Sequence, residues 1–573
     1  MRGNKSFVRD KIKLMIDGIS INTELAGSSY FYLDMPIESI QRIEVIRGPA
    51  SALYGSYAHI GVINVITKAS AHKENILFTN VSTVGNHNIG FTQNVNANGI
   101  KLALDGFFVK NDNSREYNSY SLLPMQNSFT SYEDFTNKSL GITLQFAKEL
   151  SLTSRWLEKN TQNFYGYGAW PIVQDPKNLQ NTSFINELRY TPKISKNSSI
   201  DAKIGYKQYK YTGKSRLRPL SLLGQAYDLI GNGYYKEYVV YADAALKYQN
   251  KVHNALFGLF LSQAKANDTK YFVNDPSVSE DTDIELPNNG LKNNLTRREY
   301  ALYFNDIYTF STHFTGNIGL RYDNYNDAES SLAPKLSLLY TADETQSYKL
   351  MYQRSFRVPS WVELYGSTSQ FQGNSSLQSE TIDTLELAYT YEAAFDKWLR
   401  VNIFYSDMKN FIYRDAAYVM HNADTQYSYG AEFEEKTPLN QQLTLQANYS
   451  YMQMRTKEHT DVPFVANHLA NAMLYYQITS KWHTASKLRY VGDRKREAGD
   501  SRSALHGYTM FDQTLSFTQG VFCIQASAKN IFDADVAFPS QLGNESYSGT
   551  GTYLDDFHRD GRSFWLSLEW SMR

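Results

Sequence analysis

Apolar and polar residues alternate with a period of two along most of the chain, from about residue 72 onward. The segment KSLGITLQFA shows the pattern, and DTLELAYTY, RVNIFYSD, LTLQANYSY and SFWLSLEW repeat it. This is the period of a β-strand with one apolar and one polar face. The apolar faces comprise Leu140, Ile142, Leu144, Phe146, Leu385, Leu387, Tyr389, Tyr391, Val401, Ile403, Tyr405, Leu443, Leu445, Ala447, Tyr449, Tyr451, Phe564, Leu566, Leu568 and Trp570. The pattern predicts a chain that is mainly β beyond residue 72.

The connections between the predicted strands alternate between tight turns and long polar segments. The turns include FAKELSLTS, FTQGVFCIQ and FSTHFTGNIG, and the long segments span 157–182, 211–235, 264–296 and 357–382. Short turns at one rim and long loops at the other are typical of outer-membrane β-barrels. A soluble β-sandwich, propeller or β-helix would have more even spacing or a fixed repeat. The spacing therefore favours a membrane barrel.

The aromatic content agrees with a membrane barrel. The 573 residues include 44 Tyr, 31 Phe and 7 Trp, yet the mean hydropathy is −0.48. Aromatic girdles at the two bilayer interfaces, together with a polar lumen and polar loops, account for both values. At ~10 residues per membrane strand plus connections, the chain has room for about 22 strands. A lumen of that width needs a plug.

Charge and motif content exclude several other classes of protein. The net charge of −1 gives no reason to expect a nucleic-acid partner. No run of 18 apolar residues occurs, which excludes a membrane-spanning helix. The single cysteine, Cys523, excludes an intramolecular disulfide. Because no nucleophile–histidine–acid constellation and no paired catalytic carboxylates occur, we predict that the protein is not an enzyme and has no cofactor and no metal site.

The segment 41–68, QRIEVIRGPASALYGSYAHIGVINVITK, differs from the rest of the chain. Its β-branched runs flank a Gly48-Pro49 corner, and Gly55 follows a short run of helix-forming residues, so it predicts a strand, a turn, a short helix and a second strand. The alternative is a phosphate-binding loop. That alternative lacks the Gly-Lys-Ser/Thr ending which would hold a nucleotide.

Several motifs resemble those of TonB-dependent outer-membrane receptors. In the first 71 residues these are MRGNKSF, KLMIDG, IQRIEVIRGPASALYGS and IGVINVITK, and in the barrel SFRVPSWVELY, AKNIFDADV and GRSFWLSLEW. The resemblance implies an all-β transmembrane fold, a large antiparallel outer-membrane β-barrel with a partial N-terminal plug domain in the lumen. The plug would span 1–71 and the barrel 72–573. The resemblance also implies that the chain is N-terminally truncated: the signal peptide, the TonB box and the first part of the plug either precede the printed sequence or are missing from a remnant that cannot be energised.

The resemblance also implies a function. Such receptors take up a scarce, bulky solute, most commonly a ferric siderophore, across the outer membrane of Gram-negative bacteria. Cobalamin, haem or another metal chelate is the alternative cargo, and a truncated barrel acting as an adhesin or as a phage or bacteriocin docking site is the alternative function. The implied partners are outer-membrane lipid, the ferric siderophore and, if the preceding segment exists, the TonB-ExbB-ExbD complex. The chain is expected to be a monomer.

Plug arginines meet barrel glutamates in the resembled family. The matching positions are Arg2 and Arg47 in the plug and Glu386 and Glu432 in the barrel. Ordinary solvated charges of the lumen are an equal alternative for the glutamates. The positions that match the plug motif itself are Gly48, Pro49, Tyr54, Gly55 and Gly61.

Aromatic residues in predicted outward loops are the candidates for ligand contact. They are Tyr30 and Tyr32 in the plug, and Tyr165, Tyr167 and Trp170 in the barrel. Tyrosine and tryptophan offer a large rigid surface with a hydrogen-bonding tip. The same residues are equally typical of interface girdles. The acidic segment 277–285 could hold calcium, although a solvated charge run is the simpler interpretation.

Overall fold

The computed structural model describes most of the chain. The described residues are 11–29, 34–71, 74–112, 114–117, 129–132, 134–161, 179–218, 224–287, 289–368, 371–415, 417–539 and 556–572. Within these residues, no helix is long and apolar enough to cross a bilayer.

The N-terminal residues form a small four-stranded sheet inside the barrel. Ile12–Ile16 runs parallel to the central strand Gly61–Thr67, whereas the other two strand pairs are antiparallel. The elements of the plug are the strands Ile12–Ile16, Ile19–Ser20, Ile40–Arg47 and Gly61–Thr67, the 3-10 helix Ile37–Ser39 and the α-helix Ser51–Tyr54. The predicted order of strand, turn, helix and strand is therefore present.

The rest of the described chain forms a closed barrel of 22 antiparallel strands, as predicted from chain length. The last strand pairs with the first and so closes the wall. The wall strands are Asn75–Ser82, Asn86–Ala97, Ile100–Asn111, Phe135–Ala147, Leu150–Thr161, Leu179–Tyr190, Ser198–Arg218, Leu229–Gln249, His253–Ala266, Leu295–Thr309, Phe314–Tyr325, Ser331–Thr341, Gln346–Arg357, Glu380–Ala394, Lys397–Lys409, Gln426–Pro438, Leu443–Thr456, His468–Gln477, Trp482–Val491, Tyr508–Gln519, Phe522–Lys529 and Ser563–Met572.

Alternation along these strands separates lipid from lumen. Leu385, Leu387 and Leu566 expose about half of their surface although they are apolar, which identifies the face that meets lipid. Tyr340 and Tyr348 contact each other near the short turns, with ring centroids 6.3 Å apart, as expected of an interfacial girdle. The period-two prediction is thus confirmed.

Long connections gather at one rim, called here the outer rim, and short turns at the other, the inner rim. The prediction of a long loop at 211–235 is wrong. Most of it belongs to two paired strands, which reach Arg218 and begin again at Leu229. The polar residues there stay in the wall because a strand that left it would lose its backbone hydrogen bonds. The polar sequence therefore begins where the strands leave the bilayer, and the strands themselves continue beyond that point.

Short strands and one helix lie in the connections between the wall strands. The short strands are Ser114–Tyr117, Phe129–Tyr132, Lys270–Val273, Ile284–Glu285, Gly290–Leu291, Gly366–Thr368, Phe371–Gln372, Ile412–Arg414, Met420–Asn422, Ala537–Phe538 and Phe557–His558. The helix Trp361–Tyr365 begins with a capping box formed by Ser360 and Glu363. This helix sits beside the plug, and Trp361 and Leu364 belong to the same buried cluster as Leu14 and Ile16 of the plug.

Candidate functional site at the interface of plug and barrel

The helix of the plug motif packs directly on the barrel wall. The Ser51 backbone N–H donates to Ser355 Oγ at 2.9 Å, and the Phe356 backbone N–H donates to Ser51 Oγ at 3.2 Å. Five residues further on, Ser56 Oγ accepts the Val358 backbone N–H at 3.2 Å. Small hydroxyl side chains at these two positions allow plug backbone and wall backbone to approach closely. The motif therefore works as a docking element.

Two glycines of the motif have backbone conformations that favour glycine. Gly48 has φ +88°, and Gly55 has φ +69° with ψ −155°, and both positive φ values favour glycine. A Cβ at Gly55 would also lie 2.9 Å from Arg321 Nη2 of the barrel wall. Pro49 follows the first glycine and precedes the helix, which ends at Tyr54, while Gly61 opens the returning strand between Ile12–Ile16 and Ile40–Arg47.

We expect Gly55→Ala to loosen the plug because it combines backbone strain with a contact on Arg321. Gly18→Ala is the matched control, since Gly18 has φ +82° and nothing within 4 Å of an added Cβ. Gly55, with φ +69° and ψ −155°, lies in a backbone region that is almost exclusive to glycine and costs another residue about 1–3 kcal/mol. Gly55→Ala should therefore lower the stability of the plug by more than the control does, through this strain and the contact with Arg321 together. Urea midpoints followed by a plug-specific probe would show this. Equal midpoints would mean that Arg321 moves away without cost.

The carboxylate of Glu380 joins the plug to the barrel near the outer rim. Arg357 Nε donates to Glu380 at 2.8 Å, and Lys11 Nζ of the plug lies 3.3 Å from the same group. Glu380 also accepts the Ile412 backbone N–H at 2.7 Å, and Arg357 donates to Glu363 at 2.8 Å. All four charged side chains are buried. These residues, with His59, are called the outer cluster.

His59 is the neutral member of the outer cluster. It is fully buried, and its Nε2 lies 3.9 Å from a Glu380 oxygen. Neither ring nitrogen has a hydrogen-bond partner among the described residues. Burial lowers the pKa of His59 from 6.5 to about 3; Glu380 opposes this shift, whereas Lys11 and Arg357 add to it. The seated plug therefore holds the uncharged imidazole.

We expect the seating of the plug to weaken as the pH falls from about 6.5 toward 3. A released histidine binds a proton that the buried one rejects, so this part of the stability is present above the ordinary pKa and is lost below it. His59→Gln should reduce the loss in urea midpoint between about pH 7 and pH 5. His506→Gln, at an exposed loop residue, should not. The same pH dependence in all three proteins would contradict the role of His59.

A second group of charges holds the plug loop at Glu24. Arg297 of the barrel donates from Nη1 to Glu24 at 2.9 Å, from Nε to Asp327 at 2.9 Å and from Nη2 to the Pro359 carbonyl at 2.8 Å. The Glu237 carboxylate accepts the Glu24 backbone N–H at 3.1 Å. Arg297 is only 2% exposed. This guanidinium therefore ties the plug to two separate parts of the wall.

A third group lies on the wall strand Leu150–Thr161, which is five strands from the strand that carries Arg297 and nine from the strand that carries Glu380. Arg155 makes a two-point contact with Asp105, at 2.7 and 2.8 Å, and lies 3.5 Å from Asp17 of the plug. Four residues along the same strand, Lys159 forms an ion pair with Asp34 of the plug. Charged groups thus fasten the plug to the wall at several places around the barrel.

At the centre of the plug, Lys13 faces the wall. Its ammonium donates to the Ser56 carbonyl at 3.4 Å. Burial lowers the pKa of Lys13 to about 8, and Glu299 opposes the shift. Arg321, which lies 3.3 Å from Glu299, lowers it further. The interior of the interface therefore carries charge as well as apolar contacts.

Three of the four residues of the predicted charge cluster, Arg47, Glu386 and Glu432, lie close together in the structure. Arg47 lies 3.8 Å from Glu432 and also pairs with Glu434. Asn402 Nδ2 donates to Glu386 at 3.0 Å and to Glu432 at 3.3 Å, which links the two predicted glutamates. The Arg47 side chain is 43% exposed, so its pairs are weaker than the buried ones.

The remaining predicted site residues lie outside the described part of the chain. These are Arg2, Tyr30, Tyr32, Tyr165, Tyr167 and Trp170. The acidic segment 277–285 is described and mostly exposed. Among the described residues, no group of three or more histidine, cysteine, aspartate and glutamate side chains could hold a metal ion.

Sequence reasoning missed the three buried groups around Glu24, Arg155 and Glu380. Their members are up to several hundred residues apart, and no spacing rule links such partners. One signal was present: the sequence SWVE places a serine three residues before a glutamate, which is a capping box. That signature could have singled out the buried Glu363 but not its partner Arg357.

Two family models match this chain. One, described as "TonB dependent receptor-like, beta-barrel", matches residues 72–531, and the other, described as "TonB-dependent Receptor Plug Domain", matches residues 1–62. The first covers well over half of the chain.

Relatives and solved structures agree with these matches. The iron-regulated outer membrane virulence protein of Vibrio cholerae serotype O1 is 23% identical, over 93% of this chain and 80% of its own length. The vitamin B12 transporter BtuB of Vibrio vulnificus is 24% identical, over 68% and 58%. A mutant of the ferric enterobactin receptor of Pseudomonas aeruginosa has the same fold, with TM-score 0.81, 17% identity and coverage of 98% of this chain and 90% of that one. The chain belongs to the family of TonB-dependent receptors, plugged β-barrels of the outer membrane of Gram-negative bacteria.

Proposed function

We propose that this receptor binds a ferric siderophore at the cell surface and passes it through the barrel. The names of two relatives support this cargo: the iron-regulated outer membrane virulence protein of Vibrio cholerae and the ferric enterobactin receptor of Pseudomonas aeruginosa. The fold supports it as well, because a plugged barrel is unsuited to passive diffusion of bulky solutes. Aromatic residues at positions 30, 32, 165, 167 and 170 would contact the ligand.

The observation that carries the transport proposal is the way in which the plug is held. Lys11, Glu24 and Asp17 of the plug each meet a buried charged side chain of the wall. Such contacts are strong while complete and fail when one partner is displaced. A plug held in this way stays seated at rest and comes free when it is pulled. Arg2 and Arg47, with Glu386 and Glu432, would add a further, weaker contact of the same kind.

Energy for uphill uptake would come from the TonB-ExbB-ExbD complex of the inner membrane. A barrel by itself only lets solute equilibrate. A pull on the N-terminal side of the plug would first load the strand Ile12–Ile16, and through it the contact of Lys11 with Glu380. In this mechanism the outer cluster would open early.

Cobalamin is the second candidate cargo. The vitamin B12 transporter of Vibrio vulnificus matches 68% of this chain at 24% identity, similar to the identity of the iron-related proteins. Two of the relatives named here have iron-related names and one has a cobalamin-related name, which favours the siderophore.

A binding panel tests the choice of cargo. Purified receptor in detergent would be titrated with ferric enterobactin, cyanocobalamin and haemin, and quenching of its tyrosine and tryptophan fluorescence would report binding. We expect saturable quenching by the ferric siderophore, with a dissociation constant on the order of 1 μM or below. Saturable binding of cyanocobalamin alone would replace the siderophore proposal by the second candidate.

A further inference from the structure

Four cationic side chains stand on successive barrel strands near the outer rim: Lys210, Lys236, Lys265 and Arg298. Lys210 is directly opposite Lys236 in the sheet. Lys265 is diagonal to Lys236, and Arg298 is diagonal to Lys265. Such neighbours lie about 5–8 Å apart. The four residues therefore form one continuous group, called here the cationic patch.

The cationic patch lies on the outward face of the barrel. Side chains of a strand alternate between faces, so Lys236 shares its face with Val240 and Arg298 shares its face with Leu302. Val240 and Leu302 are apolar and about half exposed, as expected beside lipid. The intervening Arg297 points the other way and is buried against the plug.

The height of the cationic patch matches the boundary between lipid and water. Tyr238 and Tyr300 lie two residues farther from the outer rim than Lys236 and Arg298, on the same outward faces. Lys236 Nζ lies 4.9 Å from the centre of the Tyr238 ring. Tyrosines at this position mark the bilayer interface, and long cationic side chains next to them reach the headgroups.

Few acids lie near the cationic patch in the described part of the chain. None of its four members forms an ion pair with a carboxylate there; Asp268 on the adjoining loop lies 3.9 Å from Lys270 and acts on Lys236 only as a more distant charge. Elsewhere on the wall, cross-strand charges do match: Lys138 is opposite Glu158 at 3.0 Å. Like charges directly opposite in a sheet are destabilising. An external anion would therefore relieve the repulsion between Lys210 and Lys236.

We propose that the cationic patch binds the phosphate-bearing headgroups of the outer leaflet. A headgroup with two phosphates would meet four cations spread over four strands. The acyl chains would then lie on the exposed apolar residues toward the middle of the bilayer. Such a lipid would be held as a specific neighbour of the barrel, at the strands that also carry Glu237 and Arg297 on their inner faces.

The test compares two variants with four substitutions each. The first combines Lys210→Gln, Lys236→Gln, Lys265→Gln and Arg298→Gln. The control combines Lys148→Gln, Lys196→Gln, Lys251→Gln and Lys481→Gln, which remove four exposed lysines at the inner rim. Both variants lose the same charge. Circular dichroism and heat-modifiable gel mobility would verify that each forms a barrel.

The probe is diphosphoryl lipid A added to receptor in a neutral detergent, with binding followed by native mass spectrometry. Each cation near an anionic headgroup contributes about a factor of five in affinity. We expect the patch variant to bind about a hundredfold or more weakly than the parent, and the control variant to bind as the parent does. Monophosphoryl lipid A should bind the parent more weakly, and inorganic phosphate alone should not displace the lipid.

Two results would overturn the proposal. Equal loss of lipid from the patch variant and the control would show that net charge alone attracts the lipid. Equal binding of diphosphoryl and dephosphorylated lipid A to the parent would show that the acyl chains, and not the phosphates, are recognised.

Discussion

Glu380→Ala is expected to release the plug from the barrel wall near the outer rim. The substitution leaves Lys11 and Arg357 buried with one carboxylate fewer, and removes the acceptor of the Ile412 backbone N–H. Removing one partner of a buried ion pair costs about 3–5 kcal/mol. We expect a large fall in the urea midpoint of the plug, with protease cleavage of the plug under conditions in which the parent resists.

Glu44→Ala is the matched control for this experiment. Glu44 is also an ion-paired glutamate, but it and its partner Arg42 are 46% and 58% exposed. Exposed pairs contribute little to stability, so the midpoint should not move measurably. A similar change in both variants would mean that burial of the Glu380 contacts does not set the strength of the interface.

Arg297→Ala is expected to have an effect of similar size on the loop of the plug around Glu24. It removes three hydrogen-bonded contacts at once and leaves Glu24 and Asp327 facing each other without a cation. The cost should again be about 3–5 kcal/mol. Hydrogen–deuterium exchange of the backbone amides around Glu24 and Leu25 would report the loosening directly.

The neighbouring residue supplies the control. Arg298→Ala removes the same side chain from the next position, where it is exposed on the outward face. We expect amide exchange around Glu24 to be unchanged. Faster exchange in Arg298→Ala than in Arg297→Ala would contradict the assignment of Arg297 as the residue that holds the plug loop.

Much of the fold could be predicted because lipid imposes a strict rule on the wall. Leu385 and Leu387 alternate with polar residues since every second side chain meets lipid, and this alternation shows in sequence. Strand ends were less predictable. Between residues 211 and 235 the strands continue above the bilayer, where lipid no longer selects apolar side chains and the polar sequence resembles a loop.

The candidate site was predictable only where local geometry restricts residue type. Gly48 and Gly55 could be singled out because their positive φ values leave a local signature. The contact of Arg297 with Glu24 joins residues 273 positions apart and depends on how the plug sits in the barrel. No local pattern encodes such a contact, so sequence reasoning chose solvated positions such as Arg47 as readily as buried ones.

Iron uptake in cells tests the central claim most directly. The gene that encodes this chain would be expressed in a strain without its own catecholate-siderophore receptors, with and without functional TonB. Accumulation of radioactive iron from ferric enterobactin would then be measured. We predict accumulation that requires both the receptor and TonB. Surface binding without accumulation in the TonB-containing strain, or accumulation that is independent of TonB, would contradict it.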